Sequence, residues 1–491
     1  MTKAIQMNER VQPLQRSASR TGHVIADIRG RIGSGRLVPN DRLPSIRRLA
    51  VELSVSPSTV VEAYDRLSAE GLIRPRPGSG FFVTEAGRTP APLVRIEPPR
   101  ATEVDPFWVA RQALDADPGT SKPGCGWLPP DWMPTALLHA GMRNVLRQAT
   151  SLTTDYGPSR GSAVLRRFVE TRLRQQSITL AEDQVLLAGS ATQALDLVCR
   201  LLLRPGDRVI VDDPCYFNFQ TLLRAHQAVV VPVPYTENGP DIAAFEAAVM
   251  RETPRLYLTN SGLHNPTGAT LSPQVAFQLL GIIGRSDMLV VEDDIFSDFE
   301  PEPAITLATL DGLSRVIRIG SFSKTISASL RCGFIAADPE RIRLLTDLQV
   351  ATQFGGPSQV ATEAISSVLS SGGYRKHLDQ LHRRLDTERR SAATRLGGLG
   401  MEPVLVPRGG PYLWCRMPNG ISSTAIAQAA LPQGVVLAPG NVFSPSLSSD
   451  GFMRFNVAHM GDARPFRVLE RAFEDLRNRS APNPDPGNVL T

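Results

Sequence analysis

Lysine is scarce in this chain: only four of its 53 basic residues are lysines, Lys3, Lys122, Lys324 and Lys376. The bias toward arginine names no function, but it confines any search for an amine nucleophile to four positions. Cysteine is scarce too. The five cysteines, at 125, 199, 215, 332 and 415, are isolated and odd in number, which argues against a disulfide framework and leaves no CxxC metal signal. Long apolar runs are absent: no stretch approaches the roughly 20 residues a membrane helix needs. The first residues, MTKAIQMNERVQPLQRSASR, lack the apolar centre of a signal peptide. These absences lead us to expect a cytoplasmic protein with no metal and no membrane attachment.

What is present is the composition of a soluble globular protein, 42% apolar and 21% charged, in a chain of 491 residues, long enough for several domains. Charge is unevenly placed. Residues 1–90 carry 14 Lys+Arg against 8 Asp+Glu, while residues 91–491 carry 39 against 40. The positive balance therefore belongs to the N-terminal fifth, where it can face phosphates or simply be solvated.

Within that fifth, Val24, Ile25, Ile28 and Ile32 recur at helical spacing, and GRLVPNDRLP then interrupts with turn formers. SIRRLAVEL places Ile46, Leu49, Ala50 and Leu53 on one face behind Ser45 as a cap. SPSTVVEAYDRLSAEG opens on the cap Ser56 and Pro57, buries Val60, Ala63, Tyr64 and Leu67, and ends at Gly71. LIRPRPGSGFFVTEAG reads as two short strands around Pro-Gly-Ser-Gly. Three helices with a tight second turn, followed by a basic hairpin, are the parts of a winged helix-turn-helix that sets its last helix in a major groove. Arg42, Ser45, Arg47, Ser56, Ser58, Thr59 and Arg76 are the candidate contacts to duplex DNA, mostly to its backbone.

The LPS-x-R-x-LA run, the TV-x-x-AY-x-x-L-x-x-EG run and the Pro-Gly-Ser-Gly wing resemble the DNA-binding domain of the GntR superfamily of bacterial transcription regulators, over residues 15–85. Pro57 stands where that family often has an arginine.

Residues 86–102 read as a proline-rich linker, with GRTPAPLVRIEPP as a semi-extended tether, and residues 479–491 as a mobile tail. Between them, residues 103–478 alternate apolar strands with longer helical patterns. QVLLAG, RVIVDDP, VVVPV, RLYLTNSG, MLVVEDD and RVIRIGS are strand candidates whose continuous apolar character fits burial on both faces. The expected architecture is a large, mostly parallel α/β lobe. A smaller α/β lobe would be built from VLVPRGGPYLWCRM, GVVLAPG and GFMRFNVAHM, after a long helical region around residues 358–396.

Polar groups punctuate the strand ends, where open α/β sheets place ligands. GSATQAL can present helix-start N–H groups to an anion or form an ordinary strand-to-helix turn. IGSFSKTISASLRCG gathers Ser321, Ser323, Lys324 and Arg331, an amine able to form an imine beside groups able to bind a phosphate. Asp293 can pair with a protonated pyridine nitrogen, Asn265 can donate to a phenolic oxygen, and Tyr216 can cover a ring face. Together these point to pyridoxal phosphate.

HNPTG, VEDD and GSFSK with Arg331 seven residues on resemble the fold-type I aminotransferases. That resemblance implies Lys324 as the Schiff-base lysine, Asp293 as the pyridine-nitrogen partner, Asn265 as the O3′ donor and Tyr216 as the stacking ring. It implies a phosphate cup of Ser190, Ala191, Thr192, Ser321, Ser323 and Arg331, and Arg454 on a carboxylate through a bidentate guanidinium. It also implies that Tyr156 reaches the cofactor of a neighbouring subunit in a homodimer. The family's EDDY is EDDIF here, so Ile295 replaces a hydrogen-bond donor, and the usual cup hydroxyl is displaced around Ala191.

A winged reader followed by this body resembles the MocR subfamily of GntR regulators. The expectation is a transcription regulator that binds promoter DNA and in which an amino acid or related amine exchanges with the Lys324 linkage and alters DNA binding. The alternatives are an active aminotransferase with an accessory DNA-binding domain and a regulator that senses pyridoxal phosphate itself.

Overall fold

The computed structural model describes residues 20–84, 106–147, 151–181 and 183–480. The chain divides into two compact units, residues 1–101 and 102–491. The proline-rich linker and the C-terminal stretch from residue 481 lie outside the described residues.

In the first unit, α1 (Arg20–Gly33), α2 (Ile46–Glu52) and α3 (Pro57–Ala69) precede a hairpin of β1 (Ile73–Arg76) and β2 (Gly80–Val83). Ser45 Oγ accepts the Arg48 N–H to cap α2, and Ser56 Oγ accepts the Thr59 N–H to cap α3 with Pro57 as its first residue. Gly71, just past α3, has φ +74°, a left-handed conformation open to glycine at no steric cost. Val24, Ile28, Leu49, Val60, Ala63, Tyr64 and Leu67 close one small core with Ile73 and Val83 of the hairpin. The one polar atom of the Tyr64 side chain is satisfied by donating to the Pro44 carbonyl at 2.8 Å.

The second unit has a large and a small lobe. The large sheet uses β3 (Val185–Ala188), β4 (Arg208–Asp213), β5 (Val229–Thr236), β6 (Gly239–Pro240), β7 (Leu256–Thr259), β8 (Leu289–Asp293), β9 (Val316–Ser321) and β10 (Gly333–Ala336). Their order is β3-β10-β9-β8-β7-β4-β5-β6. The pairs from β9 to β5 are parallel, and β10 runs antiparallel to both β3 and β9. Alternate residues feed two different cores. Leu187, Ile210, Tyr257 and Val290 enter one, and Leu186, Val209, Val211, Leu258 and Val291 the other. This two-sided burial explains why the strands read as unbroken apolar runs. Six of the large-sheet strands fall on the expected segments. Strand β10 and the two-residue β6 do not.

The helices Gln359–Ser370 and Gly372–Gly398 lead to the small lobe. Its antiparallel sheet, ordered β11-β12-β14-β13, is made of β11 (Glu402–Pro403), β12 (Tyr412–Arg416), β13 (Ala438–Pro439) and β14 (Phe452–Asn456). The expected GVVLAPG strand shrinks to two residues because its first half is diverted. Ser121 N donates to Gly434 O (3.0 Å), Val436 N to Ser121 O (2.9 Å) and Gly124 N to Val436 O (2.8 Å). The segment 121–128 is thereby strapped to the small lobe. No helix among the described residues is long and apolar enough to cross a membrane.

Candidate ligand cavity and DNA-reading face

Sheet register brings the site together. Gly333, the first residue of β10, lies opposite both Ala188, the last of β3, and Ser321, the last of β9. The turn carrying Lys324, the helix start after β3 and Arg331 therefore meet at one sheet end, where Asp293 also closes β8. A Cβ on Gly333 would sit 2.7 Å from the Ala191 nitrogen, so only glycine lets this strand approach the helix start so closely. Arg331 has φ +48°, an uncommon conformation for a residue with a side chain and a mark of a constrained site.

A cavity of about 580 Å³ opens here. Of the expected residues it is lined by Thr192, Tyr216, Asn265, Ser323, Lys324, Arg331 and Arg454. Ser190, Ala191, Asp293 and Ser321 lie outside its lining. Ser190 Oγ is taken up in capping the helix Ala191–Leu202, accepting the Gln193 N–H at 3.1 Å, which leaves Thr192 as the helix-start hydroxyl on the cavity. Ser321 Oγ and Ser323 Oγ lie 2.8 Å apart, and the Ser321 hydroxyl also donates to Cys332 O. Ile295 lines the wall where the related motif has a phenol. Tyr156 lies away from this cavity at the surface, 78% exposed, its ring 4.9 Å from that of Phe354.

Lys324 Nζ donates to the Gly126 carbonyl at 2.7 Å. Burial, with Arg454 adding to it and Asp293 opposing, brings its ammonium down to about 8. Asp293 is 2% exposed, and burial pushes its carboxyl up to about 7 against the Ile295 N–H that it accepts at 3.2 Å. Arg454 is 1% exposed and lies between two rings, 4.3 Å from Tyr412 and 4.7 Å from Phe443. It donates to Asn265 Oδ1 (2.8 Å) and to Gly124 O (2.7 Å), while its Nε is buried without a partner. Two aromatic faces offset part of the desolvation of this cation, but no carboxylate neutralises it.

Several groups that hold the site were not legible in the sequence. Asp298 accepts from Arg172, from Thr325 Oγ1 (2.8 Å) and from the Tyr374 hydroxyl (3.0 Å), which fixes the residue after Lys324. The aromatic clamp of Tyr412 and Phe443 comes from two separate segments, and only the isolated apolar character of each was visible. Cys125 lines the cavity, but burial pushes its thiol up to about 11, so it is not a ready nucleophile.

The donor set fits pyridoxal phosphate. An amine with depressed basicity faces a space bordered by a helix start, by Ser323 and by Arg331, with a buried carboxyl at the end of β8. Among the described residues the lining contains four cations and no carboxylate, which suits an anionic guest. No cluster of metal-ligating side chains occurs among the described residues.

On the first unit, Arg42, Ser45, Arg47, Ser56, Ser58 and Arg76 are exposed and Thr59 is half-buried. The Ser56 hydroxyl is engaged with those of Ser58 (2.8 Å) and Thr59 (2.7 Å). Arg74 and Arg76 donate to Asn40 Oδ1, and Arg76 stacks over Phe82 at 4.4 Å, which steadies the wing. The arginines on the helical flanks are paired with carboxylates: Arg29 with Glu70, Arg31 with Asp27 and Glu52, Arg66 with Glu62. Among the described residues, Arg42, Arg47 and Arg48 around the start of α2 and Arg74 and Arg76 on the wing form no ion pair with a carboxylate.

A winged helix-turn-helix in front of a two-lobed α/β body of the aminotransferase type is a regulator-like fusion. Residues 20–83 match the gntR family of bacterial regulatory proteins, and residues 128–471 match aminotransferase class I and II. The chain belongs to the aminotransferase class I and II family and carries a GntR-type regulatory domain, a combination consistent with the MocR subfamily. It is 28% identical over 464 residues to the uncharacterized HTH-type transcriptional regulator YdcR of Escherichia coli, covering 92% of this chain and 98% of that one. It is 29% identical to the 2-aminoadipate transaminase of Thermus thermophilus, over 73% of this chain and 92% of the enzyme. The α-aminoadipate aminotransferase LysN of that organism, solved with N-(5′-phosphopyridoxyl)-L-leucine, superposes with a TM-score of 0.69 at 26% identity, covering 76% and 95% of the two chains.

Proposed function

We propose that the chain is a pyridoxal-phosphate-dependent, sequence-specific transcription regulator, acting as a cytoplasmic homodimer on promoter DNA. An amino acid or related amine competes with Lys324 for the cofactor and thereby alters DNA binding. The observation that carries this reading is Arg454: a buried, uncompensated guanidinium sharing one cavity with a lysine of depressed basicity, in a chain that begins with a DNA reader. When bound, pyridoxal phosphate supplies an aldehyde that links to an amine and a ring that withdraws electrons.

The residues around it have separable tasks. Lys324, with its pKa near 8, holds an appreciable neutral fraction at neutral pH and so is competent to attach and to be displaced. Asp293 balances a protonated ring nitrogen, Asn265 holds the phenolic oxygen, Tyr216 covers the ring, and Thr192, Ser323 and Arg331 take the phosphate. Tyr156, exposed beside Phe354, is the group offered to the second subunit's site.

Arg454 receives the effector carboxylate, and this gives the switch its mechanical step. Both basic side chains of the site touch the strap, Arg454 through Gly124 O and Lys324 through Gly126 O. On attachment to the cofactor Lys324 leaves the Gly126 carbonyl, and an effector carboxylate arriving at Arg454 replaces the Gly124 carbonyl, so the strap changes its contacts. Differential contacts of this kind are what a ligand needs to shift a conformational equilibrium.

The test is an absorbance-monitored screen of amines against the purified cofactor-loaded protein, paired with operator binding measured with and without each hit. An amine that changes the spectrum and also changes operator affinity or bending supports the reading. Turnover of the amine to a carbonyl product with DNA binding unaltered would instead make the chain an aminotransferase with an accessory reader.

A further inference from the structure

The cavity contains one cation more than the proposed chemistry uses. Among the described residues its lining carries Lys122, Lys324, Arg331 and Arg454, with no aspartate or glutamate. Lys324 serves the aldehyde, Arg331 the phosphate and Arg454 one carboxylate. Lys122, one of four lysines in the chain, is left over, and no carboxylate pairs with it among the described residues.

Its backbone is held on both sides. Ser121 exchanges hydrogen bonds with Gly434 and Val436, Cys125 N donates to Lys122 O at 3.0 Å, and Asn456 N donates to Pro123 O at 2.7 Å. A Cβ on Gly124 would meet the Leu437 carbonyl carbon at 2.4 Å, so the strap is seated tightly on the small lobe. The lysine is therefore presented to the cavity from a fixed base.

Spacing defines what it can reach. Lys122 lies two residues before Gly124, whose carbonyl touches Arg454, so the Cα atoms of Lys122 and Gly124 are at most about 7 Å apart, and the charges of Lys122 and Arg454 both act on the Cys125 thiol. A ligand whose carboxylate occupies the Arg454 site can place a second anionic group near Lys122 across only a few methylenes. Val109, Ala110, Ala113, Trp127 and Phe217 offer apolar wall for such methylenes.

We infer that Lys122 is a specificity-determining residue that selects an acidic amino acid, one carrying a second carboxylate on its side chain. The inference rests on the reading of the cavity as an amine-effector site.

The experiment titrates the cofactor-loaded full-length protein with L-glutamate against L-glutamine and L-aspartate against L-asparagine, reading the spectral half-saturation. At least one acid is expected to bind about tenfold tighter than its amide, the effect of one charge-assisted hydrogen bond. Lys122→Met should bring that acid-to-amide ratio to about one, and Lys122→Arg should retain it. A merely structural role for Lys122 would not move this ratio. Acid and amide binding equally to the wild type, or an undiminished ratio in Lys122→Met, overturns the inference while the effector site stands. No spectral response to any amine by protein that has bound its cofactor overturns the effector-site reading and the inference together.

Discussion

Positive charge is used in opposite ways by the two units. In the reader, the arginines entering α2 and on the wing are exposed, and those of the wing are steadied by the neutral partners Asn40 and Phe82. In the cavity, Arg454 is buried and Lys324 is desolvated until its pKa falls to about 8. An exposed charge interacts through water, where each contact is weak, screened by salt and roughly interchangeable with its neighbours. A buried charge has lost its hydration, so the atom that faces it determines its energy. The reader should therefore fail gradually under substitution, and the cavity all at once.

The largest effect is expected at Lys324. Lys324→Ala leaves the cavity no lysine at this position, so covalent attachment of pyridoxal phosphate should vanish. Borohydride reduction followed by intact mass and peptide mapping reads this directly. A cofactor adduct found on Lys122, Lys376 or Lys3 in the wild type would remove Lys324 from its role.

Arg454 comes next. Truncating one side of a buried charged contact typically costs about 2–5 kcal/mol, so Arg454→Ala should weaken the amine-dependent spectral change far more than tenfold. Cofactor colour should persist, because Arg331 and Lys324 are untouched. Arg454→Lys keeps the charge but not the planar fork and should recover only part of the response. Undiminished amine affinity in Arg454→Ala would assign the carboxylate to another group.

The chemistry of this cavity was legible in the sequence where it sits in short local runs. GSFSK, VEDD and HNPTG each present their reactive group within a few residues of a strand end, so strand patterning places them together. What supports those groups was not legible. The strap bonds of Arg454 to Gly124 and of Lys324 to Gly126 cross 330 and 198 residues, and the Tyr374 brace on Asp298 crosses 76. No local pattern encodes such pairings, and a carbonyl acceptor has no side-chain signature. The reader was legible almost to its caps because its core is closed by neighbouring segments, with Tyr64 reaching back only 20 residues to Pro44. The strand β10 escaped because its importance lies in a glycine that touches Ala191, a contact that only tertiary structure reveals.

Asp293 should show a smaller, pH-dependent effect. In cofactor-free protein its carboxyl stays protonated up to about pH 7, whereas the unfolded chain releases that proton near the ordinary aspartate value of 3.8. Between these values the folded state binds more protons, so stability falls as pH rises through the window. Asp294 and Glu300, pushed up to about 6 and about 7, act with the same sign. Asp293→Asn should remove its share, on the order of 1–3 kcal/mol, and flatten the slope of urea midpoints between about pH 5 and about pH 7.5. An unchanged slope would mean that Asp293 is ionised in the cofactor-free fold.

The smallest single effect is expected on the reader and is the sharpest test of the contrast. Arg47 is exposed in the first turn of α2, so Arg47→Ala should leave folding within about 0.5 kcal/mol of the wild type. It should also leave the amine-induced spectral change intact, since cofactor chemistry is confined to the other unit. What it removes is one phosphate contact, which releases about one counterion. The logarithmic dependence of operator affinity on salt should become shallower by about 1, with similar weakening on operator and unrelated duplexes, because a phosphate contact carries no sequence information. A collapse of operator binding out of proportion to the salt slope would point to base recognition by Arg47, and an unaltered slope would remove Arg47 from the interface. Either result would break the division between graded charge outside and decisive charge inside.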